Sequence, residues 1–117
     1  MRDRVGATLL VCGLALTGAS LAGLDAAEPE RLTFEHHVRP VLKAYCLDCH
    51  GQEKPKGDLD LSPYHSAESV AQDFQRWELV LEKLEAGDMP PRKAEQHPHR
   101  DQSRDVVAWV REVRNHE

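Results

Sequence analysis

The residues best suited to chemistry are two cysteines and a histidine that lie close together in the chain. Cys46 and Cys49 are separated by two residues, and His50 follows directly. In an exported protein this CxxCH spacing is typical of the covalent attachment of a c-type haem. Each thiol adds across a haem vinyl group to form a thioether, and a helical turn brings both sulfurs to one edge of the porphyrin. The spacing then predicts that the imidazole of His50 lies beneath the macrocycle and binds the iron.

The same motif allows three other interpretations. A thioredoxin-like dithiol site requires a βαβ context, which the surrounding helical pattern does not offer. A disulfide between Cys46 and Cys49 would close only a very small loop. A structural zinc site requires two further ligands, for which His97 and His99 are available. Haem attachment accounts for Cys46, Cys49 and His50 without any ligand from outside the motif. Covalent haem is therefore the favoured interpretation.

Met89 is the predicted second axial ligand of the iron. The only other methionine is Met1, and Met89 lies in the run Gly87-Asp88-Met89-Pro90-Pro91. The glycine lets the chain leave a helix and the prolines stiffen the loop, so the thioether can be held over the iron. The alternative is a methionine that fills a gap in the core. Weaker candidates for the same ligand position are three loop histidines: His65, His97 and His99. Methionine–histidine ligation raises the reduction potential and favours electron transfer.

The N-terminal segment has the pattern of a secretory signal. Two arginines precede an uncharged, apolar or small run from Val5 to Leu24, in which Ser20-Leu21-Ala22 fits a small-x-small cleavage site. The alternative is an uncleaved anchor, because the run has about the 20 residues that span a bilayer. We therefore expect residues 1–27 to be a signal peptide or an anchor. Residues 28–117 form one exported, periplasmic domain that is soluble or anchored at its N-terminus.

The composition restricts the function further. The chain of 117 residues carries a net charge of −5, which argues against nucleic acid as a partner because such a surface is basic. A domain this small is marginal unless a cofactor, metal or disulfide adds to its core. A buried haem would supply that core. No residue set suggests independent catalysis, so we do not expect an enzyme.

The apolar spacing predicts an all-α fold with about three main helices and long loops around one covalent haem. The first helix starts near Thr33 and contains Pro40, which requires an early start or a kink. A long loop from Gly51 to Ser69 follows, in which Leu59 and Leu61 face inward. The second helix runs from about Ser69 or Asp73 to Ala86, where Gly87 stops it, and the last starts near Asp101 or Ser103.

Residues around the haem also follow from this arrangement. We expect a carbonyl near Pro55 to accept a hydrogen bond from the second ring nitrogen of His50. Trp77 or Trp109 contacts the haem or its propionates, although core packing is the preferred role of Trp109. His36 and His37 are expected to face solvent.

The chain resembles the planctomycete-type cytochrome c domain, a branch of the class I cytochrome c superfamily. The residues that carry the resemblance are Phe34, Val38, Arg39, Pro40, Leu42, the run Cys46 to Gly51, Lys56, Gly57, Leu59, Leu61 and Met89-Pro90-Pro91. The resemblance implies a small all-α fold in which the first and last helices cross. It also implies thioether links at Cys46 and Cys49, with His50 and Met89 as axial ligands.

These observations predict a monohaem electron carrier with redox proteins as partners. The alternatives are a haem-based sensor, in which a small ligand displaces Met89, and an electron-delivering subunit of a larger redox complex. A membrane is a partner only if the N-terminal segment is retained. Five basic residues are candidates to surround the haem edge and steer an acidic partner: Lys54, Lys56, Lys83, Arg92 and Lys93.

Overall fold

The computed structural model describes residues 29–116, and all regular secondary structure in this range is helical. Helix α1 covers residues 34–46 in three consecutive parts: Phe34–Val38, Arg39–Val41 and Leu42–Cys46. A short 3-10 turn at Lys56–Asp58 follows, and then three α-helices: α2 over Ala67–Ala71, α3 over Phe74–Glu85 and α4 over Arg100–Asn115. The predicted all-α class is confirmed, with a short α2 added to the three main helices. The predicted signal peptide at residues 1–27 lies outside the described residues. Within residues 29–116, no helix is long and apolar enough to cross a bilayer.

Helix α1 accommodates Pro40 by widening the turns on both sides of it. Thr33 caps the helix, and its hydroxyl accepts a hydrogen bond from the backbone N–H of His36. The N–H of Arg39 bonds to the carbonyl of Phe34, five residues back, and Leu47 bonds in the same way to Leu42. Proline has no N–H and its ring crowds the preceding turn, so wide turns avoid a break. The helix therefore continues through the proline to the first cysteine.

Helix α3 has well-defined ends. It starts after Asp73, whereas Ser69 belongs to α2, where it forms a capping box with Ser66. At the other end Gly87 has a φ of 72°, its N–H bonds to the carbonyl of Leu84, and the N–H of Asp88 bonds to that of Lys83. This pair of bonds is the Schellman arrangement, which requires a left-handed residue after the helix. The predicted stop at Gly87 is confirmed.

The core lies where α1, α3 and α4 meet. The rings of Phe34 on α1 and Trp109 on α4 have centroids 5.5 Å apart, and α4 packs against the first turn of α1. Val38 and Val110 are fully buried in the same cluster. Full burial of each such side chain stabilises the fold by about 1.5–3 kcal/mol. The preferred core role of Trp109 and the contact between the first and last helices are confirmed.

Candidate haem-binding site

A largely apolar cavity of about 320 Å³ opens between α1, α3, α4 and the two long loops. Cys46, His50 and Met89 all line it, although they lie up to 43 positions apart in the chain. Its apolar wall is formed mainly by Val41, Leu42, Leu59, Leu61, Leu79, Val80, Leu84 and Val106. Cavities of this size and character commonly hold small molecules and cofactors. Leu59 and Leu61 face inward as predicted, and Leu61 is almost completely buried.

The two cysteines lie on a helical turn at the end of α1. The N–H of Cys49 bonds to the carbonyl of Cys46 at 3.2 Å, and that of His50 bonds to the same oxygen at 2.8 Å. Both thiols are free and half-buried, and Cys46 lines the cavity whereas Cys49 is not part of its wall. Burial, and secondarily the charge of Cys49, raise the pKa of Cys46 to about 11.

The other interpretations of this motif gain no support. A dithiol redox site of the thioredoxin type works through a lowered cysteine pKa, opposite to the shift of Cys46. Its βαβ context is also absent from residues 29–116. Within the same range no three His, Cys, Asp or Glu side chains group as metal ligands, so His97 and His99 do not join the cysteines around a zinc ion.

The imidazole of His50 is oriented by the loop that follows it. Its Nδ1 lies 3.2 Å from the carbonyl oxygen of Leu59. The tautomer that donates from Nδ1 leaves Nε2 free as a metal ligand, which is how protein histidines are commonly fixed for ligation. The predicted carbonyl near Pro55 is wrong, because the loop folds back: Gly57 and Asp58 both have left-handed backbones, with φ of 65° and 55°. This reversal brings the chain back to the histidine, and the N–H of Leu61 bonds to the carbonyl of His50 at 2.8 Å.

Met89 lies at the mouth of the cavity. Its side chain is 40% exposed, so the interpretation as a core-filling methionine is wrong. Its peptide bond with Pro90 is cis, and Pro90 also lines the cavity. The three loop histidines that compete for the ligand position are exposed and lie outside the cavity wall: His65, His97 and His99. His36 is exposed as predicted, whereas His37 is half-buried and its Nδ1 accepts a hydrogen bond from the N–H of Thr33.

Two neighbouring residues of α3 add polar groups to the cavity wall. Trp77 is fully buried, and its indole Nε1 has no hydrogen-bond partner within the described part of the chain. Arg76 also lines the cavity, and its guanidinium pairs with Asp73. Trp77 was one of the two tryptophans expected at the haem, whereas Arg76 was not among the residues predicted there. Only the rotation of α3 relative to the loops places Arg76 on the cavity, and the sequence carries no signal for that rotation.

The basic residues predicted around the haem edge divide into two groups. Lys56 and Lys83 line the cavity. The other three are exposed and are not part of the wall: Lys54, Arg92 and Lys93. Any electrostatic steering at the cavity mouth therefore rests chiefly on Lys56, Lys83 and Arg76.

The residues present fit a covalently attached haem. The wall offers apolar contact for a macrocycle, and a cysteine pair and an oriented imidazole lie at the end of α1. The thioether of Met89 lies at the mouth of the cavity. Among residues 29–116 the indole N–H of Trp77 has no acceptor, and a carboxylate of the cofactor would supply one.

Comparisons with known proteins agree with this chemistry. The family model for planctomycete cytochrome C matches residues 46–93, which include both cysteines, His50 and Met89. No significant match was found among curated proteins or among solved structures. Proteins of the cytochrome c family carry covalent haem c and serve generally in haem-based electron transfer. The resemblance predicted from the sequence is thus confirmed for residues 46–93, which are similar to the planctomycete cytochrome C family.

Proposed function

We propose that this protein is a monohaem c-type cytochrome that transfers electrons in the periplasm and has no enzymatic activity of its own. Cys46 and Cys49 hold the haem through thioethers, and His50 and Met89 are the axial ligands. The observation that carries the proposal is that Cys46, His50 and Met89 line one apolar cavity. A bound haem iron supplies a one-electron couple.

Different observations support His50 and Met89 as the axial ligands. Nδ1 of His50 lies 3.2 Å from the Leu59 carbonyl oxygen, and the tautomer that donates from Nδ1 leaves Nε2 free to bind metal. Met89 supplies a thioether, which favours the reduced state and raises the reduction potential relative to a second histidine. The apolar wall limits access of water to the iron and therefore acts in the same direction.

Electron exchange with a partner takes place at the cavity mouth. Leu79 is 62% exposed there, beside the half-exposed Met89. Lys56 and Lys83 provide positive charge on the same rim, which favours a partner with an acidic surface. Within the described residues, the wall also carries Arg76 and a single acidic residue, Asp58, so its basic side chains outnumber its acidic one, whereas the protein as a whole is negative.

A second candidate function is a haem-based sensor of small ligands such as carbon monoxide or nitric oxide. The exposure of Met89 favours it, because a half-exposed ligand on a surface loop is easier to displace than a buried one. An electron-delivering subunit would use the same site as the free carrier, and co-purification with a redox partner would identify it.

The test is the visible spectrum of protein matured with a c-type haem assembly system, oxidised and reduced, before and after acid–acetone extraction. We expect haem that resists extraction and a sulfur-to-ferric-iron band that Met89→Ala abolishes. His97→Ala is the matched control and should retain the band. Retained haem without the band in the wild type would move the sixth ligand away from Met89. Loss of all haem on extraction would overturn the proposed function.

Addition of carbon monoxide to the reduced protein separates the carrier from the sensor. The carrier should bind it only after Met89→Ala has opened the sixth position. Ready binding to the wild-type protein would favour the sensor.

A further inference from the structure

Two residues of opposite charge line the haem cavity close to His50. Lys56 and Asp58 are separated only by Gly57, and both are exposed. The short turn that carries them leads directly to Leu59, whose carbonyl oxygen lies 3.2 Å from Nδ1 of His50. One positive and one negative charge therefore lie on the part of the wall that adjoins the proposed histidine ligand.

Backbone bonds fix the positions from which these two side chains extend. The N–H of Lys56 bonds to the carbonyl of Cys49 at 2.8 Å, and the N–H of Asp58 bonds to that of Pro55 at 3.3 Å. The first bond ties the turn to a cysteine of the attachment motif, and the second closes the turn itself. Both charges are therefore carried by backbone that is tied to the attachment motif.

Neither of the two charges is compensated by an ion pair. Within residues 29–116, the arginine and the other lysine of the wall, Arg76 and Lys83, pair with aspartates outside it. Lys56 and Asp58 take part in no ion pair of the same range. Their charges therefore act on the cavity directly, reduced only by the screening of solvent and salt.

The backbone at Asp58 favours a role for its side chain. Its φ is 55°, in the left-handed region that glycine adopts most readily and that aspartate tolerates. Non-glycine residues with such a backbone are concentrated at functional sites. Asp58 is also the one acidic residue that lines the cavity within the described part of the chain. A carboxylate is thus placed on an otherwise basic and apolar wall.

The two charges have opposite effects on an iron that changes its oxidation state. The ferric state carries one more positive charge than the ferrous state, so a nearby anion stabilises it and a nearby cation destabilises it. A carboxylate in the wall therefore lowers the reduction potential, and an ammonium group raises it.

We propose that Asp58 lowers and Lys56 raises the reduction potential of the haem iron, so that these two opposed charges set the potential from the His50 side of the cavity. The inference rests on the proposed function, because the iron belongs to the cofactor. Neither residue binds the iron in this role, and both act on it through their charge alone.

The experiment is a spectroscopic redox titration of the full-length holoprotein without a partner, after covalent haem has been verified by extraction. Asp58→Asn removes the charge and keeps both the size of the side chain and its tolerance of a left-handed backbone. We expect its ratio of reduced to oxidised haem at a fixed solution potential to rise by about 3- to 10-fold, as for charges near a protein surface. Lys56→Gln should lower the same ratio.

Matched controls lie in the same loop. Asp60 and Lys54 carry the same charges but are not part of the cavity wall. Asp60→Asn and Lys54→Gln should therefore change the ratio less than the variants of the wall. Lys56→Arg keeps the charge and should retain the wild-type ratio. The double variant Asp58→Asn/Lys56→Gln should lie between the two single variants, because independent effects of opposite sign cancel in part.

Two results would overturn this inference. One is a change of the ratio in the same direction in Asp58→Asn and Lys56→Gln, since a structural disturbance rather than charge would then explain both. The other is a wild-type ratio in both variants. In either case haem that resists extraction leaves the proposed function intact. Because both residues are exposed, the variants should fold, and an unchanged low-spin visible spectrum verifies that the axial ligands remain in place.

Discussion

The two sides of the haem cavity are built differently. The attachment side, residues 46–61, is tied together by backbone bonds from Lys56 to Cys49 and from Leu61 to His50. The bond between the His50 ring and the Leu59 carbonyl adds a third tie. The methionine side, residues 87–99, is mostly exposed, and inside it the bond from Ala94 to Pro91 is a single local turn.

The difference indicates that the position of His50 is fixed by the fold, whereas the position of Met89 can change. Three bonds hold the segment that carries the imidazole, and one of them reaches the ring itself, so the position of the ring does not depend on the iron. The thioether is carried by a loop with few buried contacts, and such segments open locally at low free-energy cost. Changes on the attachment side should therefore affect haem binding and folding, whereas changes on the methionine side should mainly affect coordination and the reduction potential.

The largest expected effect is that of His50→Ala. Removal of the proposed histidine ligand should abolish the low-spin visible spectrum, because no other histidine lines the cavity within the described residues. His37→Ala, the half-buried histidine of α1, is the control and should keep the spectrum. A low-spin His50→Ala protein with a wild-type spectrum would contradict the assignment of His50 as an axial ligand.

The next effect is that of Gly51→Ala on folding. A Cβ at this position would lie 2.5 Å from the carbonyl oxygen of Leu47, which is backbone and cannot move aside easily. We expect a loss of about 1–3 kcal/mol in the free energy of unfolding, as for other overpacked sites. Denaturant unfolding of the holoprotein measures it. An unchanged midpoint would show that the attachment side is less rigid than its bonds indicate.

Gly87→Ala is the matching change on the methionine side. Here nothing lies within 4 Å of the added Cβ, and the cost arises only from the φ of 72°. We expect a loss of about 1 kcal/mol. Gly87→Asn should cost less, since asparagine tolerates this backbone better. A cost for Gly87→Ala above that for Gly51→Ala would reverse the comparison between the two sides.

Some parts of this molecule could be predicted from the sequence because they depend on local spacing. The apolar periodicity places the three main helices, and the CxxCH motif and the Gly-Asp-Met-Pro-Pro run indicate the groups that meet in the cavity. The Leu59 carbonyl could not be predicted, because the chain reversal depends on consecutive left-handed backbones at Gly57 and Asp58. Aspartate adopts this conformation more often than most residues, but its presence in a sequence does not require it. The wide turns around Pro40 and the rotation that places Arg76 on the cavity depend on tertiary packing, which leaves no periodic signal in the chain.

The smallest expected effect is that of Asp88→Asn on the methionine side. Asp88 pairs with Lys83 at 3.9 Å, and both side chains are more than half exposed. Exposed pairs of this kind contribute about 0–1 kcal/mol. The negative charge also lies beside the C-terminus of α3, where the helix dipole disfavours an anion and offsets the attraction. We therefore expect a change in unfolding free energy below about 0.5 kcal/mol. A larger loss would mean that this ion pair holds the Met89 loop more firmly than its exposure suggests, and the two sides of the cavity would then differ less than proposed.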